Sequence, residues 1–127
     1  MNAMDPGFRK LDDRERGLLE KLLEVEFPGC DELRAQLGSL TAKPVSTDGT
    51  LVLRCNSGSS AATQSRLVSE AMGQDADGGQ VSVLLHVDKE GLLHMLEVIK
   101  YDGSPIVRPP SARDLVVLPS EPRGQKR

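Results

Sequence analysis

The chain has 127 residues, 38% hydrophobic and 28% charged, which is enough to bury one core without disulfides or metal. Two Phe, one Tyr and no Trp leave few platforms for stacking bases or sugar rings, and a formal net charge of -3 lacks the footprint of a nucleic-acid binder. No apolar run approaches the roughly 20 residues of a membrane-spanning helix, and no secretory segment opens the chain, so a cytoplasmic protein with free Cys30 and Cys55 thiols is expected.

Residues 1–10, MNAMDPGFRK, show no period and contain Pro6 and Gly7, so a flexible N-terminus is expected before a single domain over residues 11–118. Asp12 or Asp13 can cap a helix in which Leu18, Leu19, Leu22, Leu23 and Val25 recur at helical spacing. Pro28 and Gly29 stop it, and a short second helix then runs from Cys30 or Asp31 through Leu33 and Leu37 to Gly38.

From Leu40 the pattern turns extended: a weak strand to Val45, a turn at Thr47, Asp48 and Gly49, and a better strand from Leu51 to Cys55. Residues 56–65 and 75–79 read as polar loops, with Arg66, Leu67 and Val68 a short strand or bridge between them. Leu115 to Leu118 can add a last edge strand, and residues 119–127, PSEPRGQKR, read as a disordered tail. Helices followed by antiparallel strands predict an α+β fold: two N-terminal helices packed on one face of an antiparallel sheet of about four to six strands.

The segment Gln80 to Ile106 is the most specific part of the chain. Two apolar runs flank Asp88-Lys89-Glu90-Gly91, where Asp88 suits the first position of a type I turn and Gly91 the left-handed position that closes a three-residue loop. That turn sets Asp88 against Leu92, His86 against His94, Leu84 against Leu96 and Ser82 against Val98 on one face. The other face then carries Val81, Val83, Leu85 and Val87 with Leu93, Met95, Glu97 and Ile99, and is the expected core face.

Four residues are candidates for binding: Glu97, His86, His94 and Lys100. Glu97 falls among apolar side chains, where a carboxylate needs a partner or a raised pKa. His86 and His94, if opposite, come close enough to share an ion, but two imidazoles and the Asp88 carboxylate fall short of a closed metal site, so no metal is expected. Glu97 and Lys100 resemble the acidic residue and lysine of metal-dependent nucleases, but residues three apart on a strand point to opposite faces. Asp75-Ala76-Asp77-Gly78 suggests a calcium loop, yet Gln80 stands where that loop needs glycine and His86 where it needs glutamate. Ser57, Ser59 and Ser60 have neither the GxSxG of a nucleophile elbow nor the GK[ST] of a phosphate loop. Arg123, Lys126 and Arg127 read as solvated tail charges.

The run LLHVDKEGLLHMLEVIKYDGSPI, preceded by DADGGQV and the Leu51-Val52-Leu53 strand, resembles an uncharacterised family of short bacterial domains sharing a "DxDG, LLHV, LE-x-x-K-x-DG-x-P" hairpin. Loosely similar hairpins occur in immunity or accessory proteins encoded beside bacterial toxins. The resemblance implies a bacterial, cytoplasmic protein and no catalytic residues. The expectation is a small non-enzymatic module that meets a protein partner through a sheet edge or acidic surface, with no cofactor, nucleic acid or membrane involved. The alternative is a small enzyme or ligand binder with a pocket near Glu97, His86 and His94.

Overall fold

The computed structural model describes residues 7–57, 60–63 and 65–118. Its elements are β1 (Arg9–Lys10), α1 (Asp13–Leu22), α2 (Cys30–Gln36), β2 (Leu40–Pro44), β3 (Leu51–Cys55), β4 (Leu67–Gln74), β5 (Gln80–Val87), β6 (Leu93–Lys100) and β7 (Leu115–Val117). The strands form one open antiparallel sheet of seven in the order β1-β2-β3-β6-β5-β4-β7. The fold is α+β, with a larger sheet than the four to six strands expected and a first strand that precedes the helices. Residues 1–6 and 119–127, assigned to a flexible end and a disordered tail, lie outside the described residues.

α1 begins where its sequence can satisfy free backbone N–H groups. The Asp12 carboxylate accepts the Glu15 N–H at 2.8 Å, and the Glu15 carboxylate accepts the Asp12 N–H at 2.9 Å, a reciprocal capping box. At the other end the Arg34 guanidinium donates to the Leu23 carbonyl at 2.7 Å, tying α2 to the close of α1. Leu18, Leu19, Leu22, Leu23 and Leu33 are buried in one cluster with Leu51, Leu53, Val83, Leu85, Val87, Leu93, Leu96 and Val98. Val25, expected in the helical stripe, is only half-buried.

β4 is longer than the bridge at residues 66–68 read from sequence. Its stretch Ser69–Gly73 contains few large apolar residues, because Ser69 and Ala71 face α1 and must be small. The Ser69 hydroxyl donates to the Leu22 carbonyl at 2.6 Å, satisfying the end of α1 inside the core. β1 carries the sheet two residues beyond the expected domain start, Arg9 and Lys10 pairing with Ala42 and Thr41.

The β5–β6 turn forms as read: Gly91 has φ 80°, its N–H reaches the Asp88 carbonyl at 3.0 Å, and Val87 pairs with Leu93. The register beyond it differs. His94 is an extra residue in β6, so His86 pairs with Met95, Leu84 with Glu97 and Leu85 with Leu96. The cause is a parity conflict: Leu93 and the set Leu96, Val98 and Lys100 all face inward, which an unbroken strand cannot arrange. Buried Gln36 holds Leu93 in place, accepting its N–H at 2.9 Å and donating to the Gly91 carbonyl at 3.0 Å. Met95, Glu97 and Ile99 therefore belong to the face opposite the helices, not to the core face expected.

Candidate functional site

The bulge at His94 rearranges the four candidates. His86 and His94 are not opposite one another; His94 is exposed and His86 meets Glu97. Their contact, His86 Nε2 to Glu97 Oε1, is 3.0 Å on the open face of the sheet, with the side chains 28% and 38% exposed. The expected assignment of Glu97 and His86 to opposite faces is corrected by the same one-residue shift, which turns Glu97 to the face of His86.

Lys100 lies on the other side of the sheet, as its spacing from Glu97 requires, and is buried. Its ammonium donates to Asp75 at 2.9 Å, to Asp77 at 2.6 Å and to the Pro105 carbonyl at 3.2 Å. An ammonium has three N–H donors, so Lys100 has none left for a ligand. Asp75 is equally occupied, accepting the N–H groups of Ala76, Val107 and Arg108 besides Lys100. Burial works to raise its pKa, but the Val107 N–H, the Lys100 ammonium and the other two N–H groups overcome this and hold the carboxyl well below the usual carboxylate range. The Asp77 carboxylate, followed by burial acting in the opposite direction and then by Asp75, governs Lys100, whose pKa is raised. The cluster fastens the segment after β6 to the β4–β5 turn, so Asp75 and Asp77 are anchors of the fold.

Sequence reading passed over a second such pair. Arg9 forms two 2.8 Å hydrogen bonds to the carboxylate of Glu15, which is almost fully buried, and thereby joins β1 to α1. The alternation of charge in RKLDDRE carried no sign of this, because the partners belong to different elements. Among the described residues, no group of three or more His, Cys, Asp or Glu is placed to hold a metal ion.

The open face is the side of the sheet opposite the helices, which the elements among the described residues leave uncovered. Tyr101, Val116 and Ile99 expose 57%, 70% and 38% of their surface, and the Tyr101 hydroxyl accepts a 2.8 Å hydrogen bond from Ser82. Across the face, β2 and β3 contribute Lys43 and Arg54, whose cations lie 6.0 and 4.3 Å from the centroid of the Phe8 ring. A depression of about 390 Å³ lies elsewhere, between residues 61–63, Ser65 and Arg66 on one side and the Asp88–Gly91 turn on the other, and its lining includes neither His86 nor Glu97.

A family model described as a domain of unknown function, DUF6984, matches residues 8–110. No curated protein and no solved structure matches the chain.

Proposed function

We propose, for a chain that belongs to the DUF6984 family, a non-enzymatic role as a module that binds a protein partner through the open face of its sheet. The observation that carries this reading is the face itself. It presents Tyr101, Val116 and Ile99 to solvent around the His86–Glu97 pair, a mixture of apolar anchors and orienting charge suited to association. The edges of the sheet are less suited to the task. β1 has two residues and β7 three, and strands so short offer little ladder for an added chain. The narrower form of the proposal, a bacterial cytoplasmic protein of immunity or accessory type, rests on the hairpin resemblance.

Photocrosslinking tests the reading. With benzoylphenylalanine in place of Val116 or Ile99, a discrete protein adduct should form, and with the same group at Glu20 on the helical side it should not. Equal, diffuse labelling from both sides would overturn the proposal.

The contact at 3.0 Å favours a second reading, in which Glu97 orients His86 as a general base for a small ligand. Its requirement is a ligand bound at that pair. Titration with candidate ligands should then shift the His86 ring resonances in the wild type and not in Glu97→Gln.

A further inference from the structure

We draw no further inference here: the strongest candidate, the exposed apolar patch of Ile99, Tyr101 and Val116 on the side of the sheet opposite the helices, belongs to the surface already described, and nothing in the structure shows what covers it.

Discussion

The Lys100 ammonium stands 2.9 Å from the Asp75 carboxylate, with both side chains shut away from solvent, and it also donates to the partly exposed carboxylate of Asp77. Removing the Asp75 charge leaves the buried Lys100 ammonium with Asp77 as its remaining carboxylate, whereas removing both charges leaves no buried ion short of a partner. Asp75→Asn is therefore expected to destabilise the fold more than the double change Asp75→Asn with Lys100→Met. Urea unfolding of the two single variants and the double variant measures the order.

The same carboxyl sets an acid limb. Its pKa is held below the ordinary aspartate value in the folded chain, so the unfolded chain takes up a proton first as the pH falls. The contribution of Asp75 is complete above the unfolded aspartate pKa, near 3.8, and is lost as the pH falls below it toward the folded value. The gap in urea midpoint between wild type and Asp75→Asn should be constant at neutral pH and narrow in acid. A gap that widens on acidification would contradict the assignment.

Leu22 and Leu85 are fully buried in one cluster, one on α1 and the other on β5. Truncation of either to alanine is expected to cost roughly 2–5 kcal/mol, the range for a leucine whose cavity only partly collapses. Chemical denaturation gives the value directly, and a loss under about 1 kcal/mol would show that the helix can be released from the sheet cheaply.

Gln36→Leu leaves the Leu93 N–H without its partner, while the Gly91 carbonyl keeps the Ala61 N–H. The expected cost is about 1–3 kcal/mol for the one buried N–H left unsatisfied. Hydrogen exchange at the Leu93 amide should accelerate in this variant more than at amides in the middle of β5.

Gly91→Ala should be worse than Gly103→Ala. Both glycines have positive φ, so each change brings backbone strain of about 1–2 kcal/mol. At Gly91 the new methyl would also overlap the Ala61 backbone, whereas at Gly103 it meets open space. Thermal unfolding of the two variants separates strain from overlap.

The surface pair makes the opposite prediction. His86 and Glu97 retain contact with water, so Glu97→Gln should change stability by no more than about 1 kcal/mol.

Local chemistry was legible wherever a few adjacent residues settle it. Asp12, one of the two caps read for α1, starts that helix, Asp88 and Gly91 define the hairpin turn, and the inward parity of Val81, Val83, Leu85 and Val87 follows from alternation alone. The second half of the hairpin depended on a contact from outside it. Gln36 of α2 engages Leu93, His94 becomes the extra residue, and every later side chain of β6 changes face. That reversal placed Glu97 beside His86 and directed Lys100 inward, toward Asp75 and Asp77 from the preceding turn. β4 was hidden for a related reason: Ser69 and Ala71 look unlike core residues until the helix that presses on them is in view. Sequence periodicity records how a segment relates to water, and it records a bulge, a clamp or a buried ion pair only when both partners lie within the same segment.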